Sequence, residues 1–234
     1  MDNKITFKTE IEESLANAIR RYMNHIPIIA FDEIEISKND SPLYDETIAH
    51  RIGLIPLEMD KSMDEKTEGH SKIDVKKEGF VYSEELKGKI SPVYNNIPIT
   101  LLDKGQELSL VASIKAGKGI EHSKFSPGLM FYRNIVDIKM DKDCPKEIIE
   151  ACPKKVFKEN NGKIAIDDSS RCDMCEACVE ICKKKNKGNI ELIPTKNLLI
   201  TLESYWQLEV KDILKKAINI LREDLVDLGK KISK

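Results

Sequence analysis

Four thiols spaced C-x2-C-x2-C-x3-C, at Cys172, Cys175, Cys178 and Cys182, constrain this chain more than any other feature of its sequence. All six cysteines of the 234 residues fall between Cys144 and Cys182. The segment from Cys144 to about Gly188 carries few large apolar side chains. Hydrocarbon burial alone gives so small a segment too little core to fold unaided, so a bound metal or cluster would have to supply the missing stability.

The compartment decides how such cysteines are read. No apolar run approaches the roughly 20 residues that a membrane helix needs. The opening "MDNKITFKTEIEE" is acidic and alternating, without the apolar centre of a signal peptide. The expectation is a cytoplasmic protein, where clustered cysteines read as metal ligands before disulfides.

The spacing matches the run found in bacterial ferredoxins, whose two-residue gaps let a tight loop aim successive thiolates at one cubane. In two-cluster ferredoxins the fourth cysteine of the run serves the other cluster, so a remote thiol must complete the local three. Cys152, followed by Pro153 in "EACPKKVF", resembles the other half of such a site. Its upstream partner is broken: ferredoxin spacing back from Cys152 meets Ile148, Pro145 and Lys142, and Cys144 is out of register. The expectation is therefore one iron–sulfur cluster on Cys172, Cys175, Cys178 and Cys152, with 4Fe–4S ahead of 3Fe–4S. Cys182 is followed by Lys183 where the run has proline, and is the less favoured ligand. It would be orphaned, either free or paired with Cys144 in an oxidised sample. Zinc on four of these cysteines stays open, although zinc ribbons pair two C-x2-C knuckles across a longer gap. Structural free thiols are the third reading.

The rest of the chain reads as mixed α+β. A hydrophobic fraction of 41% and a charged fraction of 33% describe a globular protein. The net charge of −2 argues against a general nucleic-acid binder, local basic patches aside. A short strand around Ile5 and Phe7 precedes a helix from about Ile11 to Asn24, with Leu15, Ala18, Ile19 and Tyr22 on its apolar face. "IIAFDEIEIS" follows as a strand, then a short helix ending near Gly53 and an apolar exit strand into Pro56. Residues 60–79 are polar and read as a long loop with weak strand content. "FVYSEEL", "IPITLL", "ELSLVASIKAG", "FYRNIVDIKM" and "LLITLES" (198–204) restore strand character.

A final helix from about Glu209 to Ile232 repeats Val210, Leu214, Ala217, Leu221, Leu225, Leu228 and Ile232 at three- and four-residue spacing. Ile213, Ile218 and Ile220 widen the stripe beyond one seam. Such a helix either sinks into a single core or turns one side to a partner, and periodicity does not choose.

Four stretches do choose. "ANAIRRYMNHIPIIAFDEIEI" (16–36), "HRIGLIPL" (50–57), "SPVYNNIPITLLDKGQELSLVASIKAGKGIEHSKFSP" (91–127) and "LLITLESYWQLEVKDILKKAINIL" (198–221) resemble the D subunit of archaeal DNA-directed RNA polymerase. That family is similar to the third-largest subunit of eukaryotic RNA polymerase II and to the bacterial alpha amino-terminal domain. The resemblance runs through nearly the whole chain in the family's order. It implies an alpha-subunit-like, discontinuous dimerisation domain (1–40 and 196–234), a strand-rich insert domain (41–140) and a ferredoxin-like iron–sulfur insertion (141–192).

In function the resemblance implies a non-catalytic assembly subunit that forms a heterodimer with subunit L and nucleates assembly of the large catalytic subunits. It tips the final helix towards a partner face, with Leu214, Leu221 and Leu225 as interface positions. It also places Arg20 and Arg21 against a large subunit, where rigid guanidinium forks suit carboxylates and carbonyls. No direct sequence-specific nucleic-acid binding and no membrane contact are implied. "GKGIEHSKFSP" lacks the helix-opening G-K-[ST] of a phosphate loop, so nucleotide binding is rejected. Residues 60–79 lack the cysteines that form a zinc loop in some relatives. No acidic cluster suited to polymerase metal ions is evident. The alternative reading, from another class, is an electron-transfer iron–sulfur subunit of an oxidoreductase.

Overall fold

The computed structural model describes residues 3–60, 63 and 65–233. In chain order the elements are β1 (Lys4–Thr9), α1 (Glu13–Tyr22), β2 (Pro27–Asn39), α2 (Asp45–Gly53), β3 (Glu68–Val75) and β4 (Gly79–Tyr82). There follow β5 (Lys87–Gly88), β6 (Pro98–Leu102), β7 (Leu108–Lys118) and β8 (Gly128–Met140). The cysteine-rich part holds α3 (Ile148–Ala151), β9 (Phe157–Asn160), β10 (Lys163–Ile166) and α4 (Ala177–Lys185). β11 (Ile190–Ser204) and α5 (Val210–Ile232) complete the chain.

These elements form two compact units. The first takes in the described residues up to Ile5, then Asn17–Met130, then those from Leu202 onward; the second comprises Thr6–Ala16 and Phe131–Thr201.

The first unit contains a four-stranded sheet in the order β2-β7-β3-β5 and a two-stranded sheet, β4-β6. β2 and β7 are long and antiparallel, with bulges between Phe31 and Ile34 and between Ile36 and Lys38. Alternation along β7 sends Leu108, Leu110, Ala112 and Ile114 inward. They meet Ile48 and Ile52 of α2, together with Ile55, Leu57, Ile73, Val81, Ile99 and Leu102, in one aliphatic core.

β3 corrects the loop expected over residues 60–79, of which 61, 62 and 64 lie outside the described residues. Glu68–Val75 pairs with β7 along its full length. Its inward positions include Gly69, Ser71 and Ile73, and small or polar side chains mask the alternation that makes it a strand. The exit strand expected before Pro56 is likewise absent: after α2 the chain turns, and only an isolated bridge joins Leu57 to Pro92.

α1 buries Ala16 and Ile19, and Met23 just beyond its end, while Leu15 is exposed and Tyr22 half-buried. The apolar face is thus rotated by about one residue from the expected one. Tyr22 Oη instead donates to Asp224 Oδ2 of α5 at 3.0 Å.

α5 is positioned by the turn that precedes it. The Ser204 hydroxyl accepts from the Trp206 N–H at 2.9 Å and donates to the Leu208 carbonyl at 2.5 Å, with Trp206 in the left-handed region at φ 71°. Buried Gln207 donates to the Ile29 carbonyl at 3.2 Å.

The second unit holds most of a three-stranded sheet in the order β1-β11-β8, together with the hairpin β9-β10 and the helices α3 and α4. β11 starts at Ile190, earlier than the expected 198. Pro194 and a polar run hide its start, and Thr195 Oγ1 donates to the Ile135 carbonyl of β8 at 2.8 Å. The core of this unit joins Val136, Ile148, Val156, Phe157 and Ile190 to Cys144, Cys152, Cys172, Cys178 and Cys182.

Candidate metal centre and interface helix

All six cysteines are thiols, and only Cys175 is exposed. The C-x2-C-x2-C loop winds tightly because Met174 and Glu176, the residues just before Cys175 and just after it, both take left-handed backbone angles, at φ 56° and 60°. α4 then begins at Ala177, so Cys178 and Cys182 share one helix face and both are buried.

Cys152 ends α3 and comes from a separate segment. The structure brings it to the loop: Cys172 interacts electrostatically with Cys152 and Cys175, and Cys178 with Cys172 and Cys152. Cys182, one turn further along the same face, lies against Cys144, with the two Sγ atoms 3.8 Å apart.

Backbone amides point at three of these sulfurs. The Val156 N–H donates to Cys152 Sγ at 3.5 Å. Met174 and Val179 supply backbone hydrogen bonds to Cys172 and Cys178. Such bonds favour the thiolate, but burial opposes them and wins. Burial raises the Cys172 thiol and pushes Cys178 up to about 11, with the neighbouring thiols adding to the rise.

Arg133 of β8 holds the loop from behind, its guanidinium donating to the carbonyls of Ser170 and Cys172. Sequence reasoning missed this residue, because a lone arginine on a strand gives no signal of what its side chain reaches. Among the described residues no three His, Cys, Asp or Glu side chains converge closely enough to hold a single metal ion.

On α5 the expected stripe divides. Val210, Ile213, Ala217 and Leu221 are buried, with Leu221 only 9% exposed, and Leu214 is half-buried. Ile218, Val226 and Leu228 lie in solvent with Leu225 and Ile232, the last two 58% and 75% exposed. Of the three expected interface positions, then, Leu225 is open, Leu214 partly open, and Leu221 taken up by the chain's own fold. Arg20 and Arg21 are both exposed, and Arg20 Nη2 donates to Asn17 Oδ1 at 2.8 Å.

The glycine-containing loop at 117–127 is occupied otherwise. Lys124 Nζ lies 2.7 Å from Asp32 Oδ1, and the Phe125 ring packs where a Gly117 side chain would be. Among the described residues no helix is long and apolar enough to cross a membrane.

The matches to known proteins agree with this architecture. Residues 33–130 match the RNA polymerase Rpb3/RpoA insert domain, and the mixed α+β architecture fits an alpha-subunit-like fold. DNA-directed RNA polymerase subunit Rpo3 of Thermococcus kodakarensis is 32% identical, covering 90% of this chain and 86% of that one. Rpo3 of Archaeoglobus fulgidus is 33% identical over 93% of this chain and 89% of its own. DNA-directed RNA polymerase II subunit rpb3 of Dictyostelium discoideum is 29% identical over 97% and 90%. The chain belongs to the Rpo3 family of DNA-directed RNA polymerase subunits. It is therefore a subunit of a nucleotidyltransferase complex and not an enzyme on its own. These relatives do not favour the electron-transfer alternative.

Proposed function

We propose that this chain is an assembly subunit of the archaeal D type, pairing with subunit L and nucleating assembly of the large catalytic subunits. The observation that carries this reading is the apolar row that α5 leaves in solvent. Leu225, Leu228 and Ile232 follow the three- and four-residue spacing of a helix seam beyond the point where the helix buries its last side chain, Leu221, and exposed Ile218 lies two turns before Leu225 on the same side. A contiguous apolar row of this kind marks an interaction surface. Covering each Leu or Ile is worth about 1.5–3 kcal/mol. Exposed Arg20 and Arg21 provide forks for carboxylates of a large subunit.

In the same reading Cys152, Cys172, Cys175 and Cys178 hold one iron–sulfur cluster, 4Fe–4S or 3Fe–4S, with Cys182 outside the set. The donor chemistry fits. Thiols from two segments lie within electrostatic reach of one another, three of them under backbone N–H groups, in a cluster of ten buried side chains of which five are cysteine. Bound there, the cluster supplies cross-links and folding free energy that the sparse hydrocarbon does not. The role is that of a staple in a cytoplasmic scaffold.

The test is anaerobic co-expression with a candidate subunit L from the same source, followed by size exclusion, metal analysis and electron paramagnetic resonance. A one-to-one complex containing iron and sulfide supports both parts of the reading. A monomer containing iron would remove the scaffold role, and zinc without iron would remove the cluster.

A further inference from the structure

Cys144 and Cys182 lie outside the four-thiol set, and the fold brings them together from opposite ends of the insertion. Cys182 Sγ donates to Cys144 Sγ at 3.8 Å across 38 residues of sequence, and both are buried. Backbone bonds hold the pair in place. Asp141 N–H donates to the Asn189 carbonyl at 3.0 Å, Asn189 N–H to Asp141 Oδ2 at 3.0 Å, and Lys187 N–H to the Cys182 carbonyl at 3.2 Å. Gly188, at φ +65°, packs so closely that a Cβ there would stand 2.9 Å from Cys144 Sγ. A disulfide needs its sulfurs at about 2.0 Å, which closes a gap of under 2 Å in this arrangement.

We propose that Cys144 and Cys182 form a convertible dithiol–disulfide pair, oxidised by a peroxide, that fastens the end of α4 to the segment preceding α3. The pair acts separately from the four-thiol set and does not depend on what that set binds. Cys144 lines an open hollow of about 720 Å³ among Lys142, Lys146, Lys163 and Lys185, whereas Cys182 is enclosed. Cys144 is therefore the attacking sulfur. Its thiolate displaces one peroxide oxygen: an S–O bond forms, the O–O bond breaks, and the departing hydroxide takes up the thiol proton as water. Cys182 then attacks the sulfenic sulfur: the S–S bond forms, the S–O bond breaks, and a second water leaves with the Cys182 proton. Two electrons pass from the sulfurs to the peroxide, which ends as two waters. Burial pushes the Cys144 thiol up to about 11, so little thiolate forms at neutral pH and its reaction with peroxide is slow.

Once closed, the bond restricts the unfolded chain more than the folded one. The full chain, reduced and then given one equivalent of hydrogen peroxide, is alkylated and mapped by peptide mass spectrometry. The expected product is a Cys144–Cys182 linked peptide, with a melting temperature about 5–10 °C above that of the reduced chain and restored by dithiothreitol. The C182S chain should show neither the link nor the shift. Cys144 and Cys182 recovered as alkylated thiols, while other cysteines are linked, would overturn the pairing. A link that leaves the melting temperature unmoved would overturn the fastening. Mapping of the unaltered chain decides the pairing even where C182S fails to fold.

Discussion

The two units of this chain differ in what fills them. The first is closed by Ile, Leu, Val and Phe side chains from two sheets and α2, with Phe31, Ile48, Ile52 and Leu57 wholly buried. The second contains a cluster of ten buried side chains of which five are cysteines, Cys144, Cys152, Cys172, Cys178 and Cys182. Aliphatic burial needs nothing from outside the chain and is worth about 25 cal/mol per Å². A thiol core depends on what the thiols bind or bond to. On the proposed reading one chain carries two kinds of stability, and only one responds to metal and oxidant.

Substitutions should separate the two. The largest effect is expected from C172S together with C178S. Amides of β9, β10 and α4 should lose about a thousandfold in hydrogen-exchange protection, while those of β2 and β7 keep theirs. Loss in both sets alike would mean that the second unit's core is not separately held. I52A in the first unit leaves a cavity in a packed aliphatic core and should cost about 2–5 kcal/mol in denaturant unfolding, with metal content unchanged.

Next comes L225D, on the half of α5 that the fold leaves uncovered. It should weaken binding to subunit L by roughly thirtyfold or more, about 2 kcal/mol, and leave the chain's own melting within the range of a surface change. An equal effect on melting would place Leu225 in the chain's own core.

The smallest effect is D32N. Hydrogen bonding to Lys124 holds the Asp32 carboxyl below its ordinary value, with Lys115 helping. A lowered folded pKa gives stability that is full above the unfolded value and lost as pH falls through the folded one. The difference between D32N and the unaltered chain, about 1 kcal/mol, should thus hold from pH 7 to 5 and shrink below about pH 4. Urea melts across that range check it, and a difference that grows towards acid would contradict the pairing.

Where a periodicity was complete, sequence alone located the element. α5 lies where its three- and four-residue repeat predicts, and β2 and β7 where their apolar runs do. The spacing of the cysteines singled out Cys152, Cys172, Cys175 and Cys178 as a set, and the fold brings these thiols within electrostatic reach of one another. What escaped depends on tertiary placement. β3 turns Gly69 and Ser71 inward, and neither residue type marks a strand. Leu15 and Ala16 are equally plausible inward residues by spacing, and packing selects Ala16. Arg133 acts on carbonyls of a segment distant in sequence, which no local pattern encodes. The apolar repeat runs on through the exposed half of α5, so the stripe alone could not show where the chain's own core ends.

Hydrogen exchange of the full chain, prepared anaerobically and compared before and after iron chelation, bears on the contrast between the two cores at its root. The expected preparation holds about four irons per chain. Chelation should then expose the amides of residues 148–185 while those of 27–39 and 108–118 stay protected. A chain isolated without iron, yet equally protected in both regions, would show that the sulfur-filled core stands on its own and that the staple does not exist.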